Sequence, residues 1–128
     1  MSILDLDAQT LSAAIKAKKL SVAELMQATL ARIDAVNGDV NAIVSLRDGD
    51  DLLAEAEAAD NAPRKGWLHG IPIAIKDNYL TKDYPTTACS DATPLEPPGV
   101  DATVIANLRA AGAIIFAKTN MHEWAYGA

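Results

Sequence analysis

Apolar positions recur at two different spacings along this 128-residue chain, and the change of spacing divides it. In residues 21–37, SVAELMQATLARIDAVN, the side chains Val22, Leu25, Met26, Thr29, Ile33 and Val36 follow helical spacing and share one apolar face. Ser21 and Glu24 stand at capping-box distance, which sets the start of that helix. A shorter helix precedes it, with Ala8, Leu11 and Ile15 on one side. NAIVSL reads as a short strand. DDLLAEAEAAD reads as a third helix, alanine-rich and with the acidic start that a helix N-terminus favours. NAPRKG then breaks the pattern and reads as a linker. The predicted organisation is a helical region over residues 1–65 and a second region over 66–128.

Past the linker, residues 71–75 read as a strand, with Pro72 near its start, where a missing N–H does least harm. Residues 77–100 form a long, polar, proline-rich loop. DATVIANLRAAG predicts a helix capped by Asp101, with Val104, Leu108 and Ala111 on one face and Gly112 as its stop. AIIFA is a second strand, and TNMHEWAYG opens a further helix capped by Thr119 or Asn120, so the sequence stops inside a helical pattern. Strand, helix, strand is a βαβ unit, whose strands are parallel. The expected class is therefore α/β: N-terminal helices followed by a βαβ unit. Lys76 and Lys118 each follow a strand, so both are expected at one edge of the sheet, where open α/β sheets hold their ligands. Strands that are apolar throughout suit a sheet covered on both faces, yet two strands cannot make one. The sequence thus reads as the front piece of a larger domain. Ile71, Ile73, Ile75, Ile114, Ile115 and Phe116 are expected to lack part of their cover unless other copies or further segments supply it.

Composition narrows the partners. The formal charge is -6 and the pI near 4.7, which argues against a surface for the phosphate backbone; no direct nucleic-acid partner is expected. The N-terminus has neither the basic nor the apolar stretch of a signal peptide. No apolar run is long enough to span a bilayer, and the lone Cys89 permits no internal disulfide. These features read as a cytoplasmic protein without a membrane partner. Neither strand is followed by a glycine-rich phosphate loop.

Lys76 raises the chemical question. In alternation it shares a side with Pro72 and Ala74, opposite Ile71, Ile73 and Ile75. It either reaches past the strand end into water or is held away from water as a base. An ordinary lysine pKa of about 10.4 makes neutrality at pH 7 cost about 4.6 kcal/mol. Full burial can shift a lysine by about 3–5 units, enough to offset that. Composition leaves both readings open. Lys118 is either an ion-pair partner or a solvated strand end. Asp77 and Asn78 are expected to hold the following loop by side-chain to backbone hydrogen bonds, and Trp67 and Trp124 to be packing residues. Cys89 with His69 or His122 lacks any cysteine-protease signature. His122 and Glu123 lack a second ligand at helical spacing, since residue 126 is tyrosine. No metal and no cofactor are expected.

GIPIAIKDN, Thr86–Thr87 with Ser90 following, DATV, and LRAAGAIIFAKTNMHEWAYG together resemble the N-terminal part of the amidase signature family, in order and spacing from Leu68 onward. The helical first third is also similar. The resemblance implies an α/β/α sandwich around a large mixed sheet, and hydrolysis of small-molecule amides by a Ser–cis-Ser–Lys triad. Lys76 matches the lysine of the family's KDN motif, a buried base for the cis-serine. The resemblance favours the ion-pair reading of Lys118, with Asp77 and Asn78 as supports. Both triad serines belong to glycine- and serine-rich segments without counterpart here; Ser45 and Ser90 do not sit in such a setting. The implied picture is one triad member of three and no hydrolysis by this chain alone. NMHEWAYG is more similar to stand-alone amidases than to the glutamine-hydrolysing subunit of the tRNA-dependent amidotransferase, although a cysteine beside the threonine pair, here Cys89, is reminiscent of the latter. The alternatives to a stand-alone amidase are a non-catalytic binding module, whose contact face is the helical first third, or that glutamine-hydrolysing subunit itself. The expected macromolecular partners are other copies or the rest of an amidase chain.

Overall fold

Side-chain caps fix where the helices begin. A computed structural model describes residues 2–127. Helix α1, Ala8–Lys16, starts at Asp7, whose carboxylate accepts the Thr10 N–H at 2.7 Å, and it buries Leu11, Ser12 and Ile15. Helix α2, Val22–Val40, starts at the expected capping box: Ser21 Oγ accepts from Glu24 N, and the Glu24 carboxylate accepts from Ser21 N. A second, distant cap supports it. Asp60 Oδ1 and Oδ2 accept the Val22 and Ala23 N–H groups at 2.7 and 3.1 Å. Helix α2 runs through Gly38, past its predicted end, and stops at left-handed Asn41. Strand β1, Ile43–Leu46, follows, then helix α3, Gly49–Asn61, capped by Asp48.

Strand β2, Pro72–Lys76, helix α4, Thr103–Ala110, and strand β3, Ile114–Thr119, form the βαβ unit. The sheet order is β1-β3-β2, with β2 parallel and β1 antiparallel to β3. The predicted α/β class and the parallel pairing both hold, and β1 makes the small sheet a mixed one. Both strands run further than expected, β2 by one residue to Lys76 and β3 by two to Thr119, so Lys76 ends its strand and Lys118 lies inside its own. Lys76 pairs with Thr119, and Ile75 with Lys118. The two lysines therefore occupy the same carboxyl edge but project from opposite faces, because paired residues share a face and neighbours alternate.

One core cluster packs Leu11, Ile15, Val22, Leu25, Met26, Leu52 and Ala56 from the helices against Ile71, Ile114 and Phe116 of the strand region. A smaller one on the other face holds Ile75, Tyr84, Ile105 and Ile115. The expectation that the strand side chains lack cover is corrected by these clusters. Of the six, all but the half-buried Ile73 are buried, because α1–α3 close one face while α4 and the long loop close the other.

Three further expectations are corrected. Residues 119–127 do not open a helix: a 3-10 turn, Glu123–Ala125, stands there, with Trp124 and Ala125 left-handed. The Trp124 N–H is taken by the Ala88 carbonyl of the long loop, so it cannot serve a helix. Asp101 does not cap α4; its carboxylate accepts Lys82 N at 2.8 Å and pairs with Arg109. Trp67 and Trp124 are not packed away, being 58% and 57% exposed.

The Asp60 cap gives a test. Asp60→Ala should lower stability by about 1–2 kcal/mol, since it removes two charge-assisted bonds to a helix start. It should be read as a fall in the urea midpoint at unchanged slope. Asp39→Ala, on the exposed far end of the same helix, should move the midpoint by less than half as much.

Candidate functional site

A lysine inside a central strand has no route to water at the strand end. Lys118 is such a residue and is 0% exposed; Asp77, immediately after β2, is 1% exposed. Their charged groups lie 3.3 Å apart. Bringing two charges out of water is unfavourable unless every donor and acceptor is used. Here they are used. Lys118 Nζ also donates to the Tyr79 carbonyl at 2.9 Å, to Thr86 Oγ1 at 2.9 Å and to the Pro85 carbonyl at 3.4 Å. Asp77 Oδ1 accepts Thr87 N at 3.3 Å, and Asp77 Oδ2 accepts the Thr87 hydroxyl. The Asp77 backbone joins in, its N–H donating to the Thr119 carbonyl and its own carbonyl accepting from Ala88 N. One buried pair thereby ties residues 79–88 of the long loop to the ends of β2 and β3.

Burial pushes the Lys118 pKa below that of an ordinary lysine, with the Asp77 carboxylate pulling the other way. The unfolded chain then holds this proton to higher pH than the folded one. The Lys118 contribution to stability therefore rises as pH climbs from the lowered folded value towards about 10.4. Tyr84 opposes it at higher pH. Its hydroxyl, buried and donating to the Ile115 carbonyl at 3.1 Å, has its pKa pushed up by that burial.

The loop continues into a strained stretch. Ala88 and Cys89 both have left-handed φ, at 49° and 51°, conformations that cost a side-chain-bearing residue about 1–3 kcal/mol each. They are held by the bonds around them. Cys89 N donates to Thr87 Oγ1, the Cys89 thiol lies 3.4 Å from Asn120 Oδ1, and Ser90 Oγ donates to Glu123 at 2.6 Å. The carboxyl edge of the sheet thus carries Lys76 on one face and a braced loop on the other.

The predicted site residues fall as follows. Lys76 stands at the edge but is exposed, so the expectation of a desolvated lysine is not met by this chain's own residues. The lysine that is desolvated is Lys118. Asp77 holds the loop as expected and adds the ion pair. Asn78 is exposed and its side chain makes no hydrogen bond among the described residues, which corrects the support expected of it. His69 sits at the opposite end of β2, bonded through Nε2 to the Ala59 carbonyl, and no bond joins it or His122 to Cys89. Among the described residues no group of three or more His, Cys, Asp or Glu is placed to hold a metal. The hydroxyls of Thr86 and Thr87 were not singled out as ligands of the pair. The available signal was that β3 extends beyond Ala117, which places Lys118 inside the sheet and obliges nearby polar groups to meet it.

The family model described as Amidase matches residues 24–128. The chain belongs to the amidase family. Amidase relatives include the glutamyl-tRNA(Gln) amidotransferase A-type subunit of Anaeromyxobacter sp. (strain K), 43% identical over 90% of this chain and 24% of its own length. The protein of the same name from Geobacter metallireducens is 41% identical over 99% of this chain and 27% of its own. Among solved amidase-family structures, native peptide amidase from Stenotrophomonas maltophilia superposes with a TM-score of 0.83 and 37% identity, over 92% of this chain and 25% of that one. The chain therefore spans about a quarter of the length of the curated relatives it matches. No helix among the described residues is long and apolar enough to cross a membrane.

Two outcomes follow. Lys118→Met should cost about 3–5 kcal/mol, because it leaves Asp77 charged and buried, whereas Lys118→Met with Asp77→Asn should recover most of that. Denaturant melts of the two variants separate the cases. Stability of the unaltered chain should also fall as pH rises above about 10, where the unfolded tyrosine ionises and the folded Tyr84 does not. Tyr84→Phe should flatten that fall, as read by melts between pH 9 and pH 11.5, a range of about 2.5 units around the ordinary tyrosine value.

Proposed function

We propose that this chain supplies the lysine base of an amide hydrolase, with Lys76 acting on a cis-serine that in turn activates a nucleophilic serine. The observation that carries this reading is the placement of Lys76 at the carboxyl edge of parallel β2 and β3, beside a loop held by the buried Lys118–Asp77 pair. Asp77 and Lys118 are positioning residues in this account. Neither triad serine has a counterpart in the present sequence, so the chain alone does not turn over amides. The substrate is a small-molecule amide, cleaved to the acid and ammonia or an amine.

A lysine acts as a base near neutral pH only when water is kept from it. Lys76 is exposed in this chain, so the reading requires further polypeptide over that edge. The outer edge of β2 is unpaired among the described residues, and unpaired edges invite strand addition. The rest of an amidase polypeptide or another copy of the chain is the proposed cover.

A second reading has an observation of its own. Relatives more than 40% identical are named for a glutamyl-tRNA(Gln) amidotransferase, which favours glutamine as the amide.

Grafting tests both. This chain replaces the equivalent segment of the Stenotrophomonas peptide amidase and, separately, of the Anaeromyxobacter amidotransferase polypeptide. In whichever graft is active, Lys76→Ala should reduce kcat/KM by about 10³-fold or more. Activity within tenfold of the parent graft would remove Lys76 from the chemistry. Ammonia released from glutamine by the second graft, with no turnover by the first, would establish the second reading. The ungrafted chain should release no ammonia from aliphatic or aromatic amides.

A further inference from the structure

The cations of this acidic chain are unevenly placed. Five of its eleven Lys and Arg residues fall in two short stretches, Lys16, Lys18 and Lys19 at and just past the end of α1, and Arg64 and Lys65 after α3. The fold brings the stretches together. Lys16, Lys18 and Arg64 line one cavity of about 650 Å³, and Lys16 and Arg64 also line a neighbouring cavity of about 710 Å³ against Trp67. All five cations are exposed, and none forms an ion pair among the described residues. The single acid lining either cavity is Asp60, whose two oxygens are committed to the start of α2. Arg64 is steadied by a bond from Nη2 to Ser12 Oγ at 2.6 Å.

Unpaired cations crowded on one face of a protein of net charge -6 repel one another. That arrangement is relieved by an anionic partner. The floor of the first cavity is aliphatic, with Leu20 and Ala59 half-buried over the core residues Ile15 and Val22, and the exposed indole of Trp67 stands in the neighbouring cavity. His69, which also lines the first cavity, lies in the turn before β2, whereas Lys76 ends that strand, about 13 Å beyond its first residue. The surface is therefore at the other end of the sheet from the proposed catalytic edge and is not a substrate subsite.

We propose that this face docks an acidic polypeptide segment that alternates carboxylates with aliphatic side chains. The carboxylates meet Lys16, Lys18 and Arg64, and the aliphatic groups lie against Leu20 and Ala59 in one cavity and against Trp67 in the other. A nucleic acid suits the face less well. Its phosphates would meet a chain of net negative charge, and one exposed indole is a poor platform for successive bases.

The probe is a capped synthetic heptapeptide alternating Glu and Leu, titrated into the ¹⁵N-labelled chain. A Lys and Leu heptapeptide and a uridine oligonucleotide serve as comparison arms. Amide shifts should be confined to Ala13–Leu20, Arg64–Trp67 and the Trp67 indole N–H, and should saturate. The fitted Kd should weaken about tenfold for Lys16→Glu with Lys18→Glu, both exposed side chains without a hydrogen bond or ion pair among the described residues, whose variant should melt like the parent. It should also weaken on raising salt from about 50 to about 300 mM, as charge pairing at a surface requires. Lys82→Glu, an exposed cation elsewhere, should leave it unchanged. Absence of saturable shifts, shifts spread over every cation, or equal response to the basic peptide would overturn the proposal. Tighter binding of the oligonucleotide than of the acidic peptide would overturn it in favour of a nucleic-acid surface.

Discussion

The carboxyl edge of this structure depends on a buried ion pair. Lys118 and Asp77 are both hidden from water and lie 3.3 Å apart. Such a pair is tolerable only because the surrounding chain supplies each remaining donor and acceptor. The groups that do so are spread over the loop: the Tyr79 and Pro85 carbonyls, the hydroxyls of Thr86 and Thr87, and the Thr87 N–H. Satisfying the charges and ordering the loop are therefore one event. A lysine that follows a wholly apolar run dictates the path of a segment some thirty to forty positions away.

This arrangement divides two tasks between two lysines at one sheet edge. Alternation along paired strands sends Lys118 to the face of Ile75 and Lys76 to the opposite face. The buried lysine fixes the backbone that follows β2, and with it the base of the exposed one. The left-handed pair Ala88 and Cys89 fits the same scheme. Their strain is sustained because Ala88 bonds on one side to Asp77 and on the other to Trp124.

The sequence made most of the regular elements legible, and the reasons are local. Ser21 and Glu24 cap α2 as their spacing predicts, and the apolar runs of β2 and β3 pair in parallel. What was not legible is long-range. Asp60 caps a helix nearly forty residues earlier, and nothing in its own neighbourhood announces that. Asp101 has the spacing of a cap but is drawn away by Lys82 N and Arg109. The terminal segment carries a helical pattern, yet its Trp124 amide is claimed by the loop carbonyl of Ala88. At the candidate site, motif and position point to Lys76, Asp77 and Lys118, and the strands bring all three to one sheet edge. Which lysine is buried is not legible locally, because it depends on β3 running past Ala117 under the long loop, which buries Lys118 and leaves Lys76 exposed.

The central claim is that the Lys118–Asp77 pair orders the loop, beyond any contribution to global stability. The double variant Lys118→Met with Asp77→Asn separates the two, since it removes both charges while keeping the volume. Native-state hydrogen exchange on this variant is the direct measurement. The account predicts that protection at the Thr87 and Ala88 amides falls by about tenfold or more, while the Ile114 amide in the sheet keeps its protection. Unchanged protection at Thr87 and Ala88, in a variant that remains folded, would contradict it.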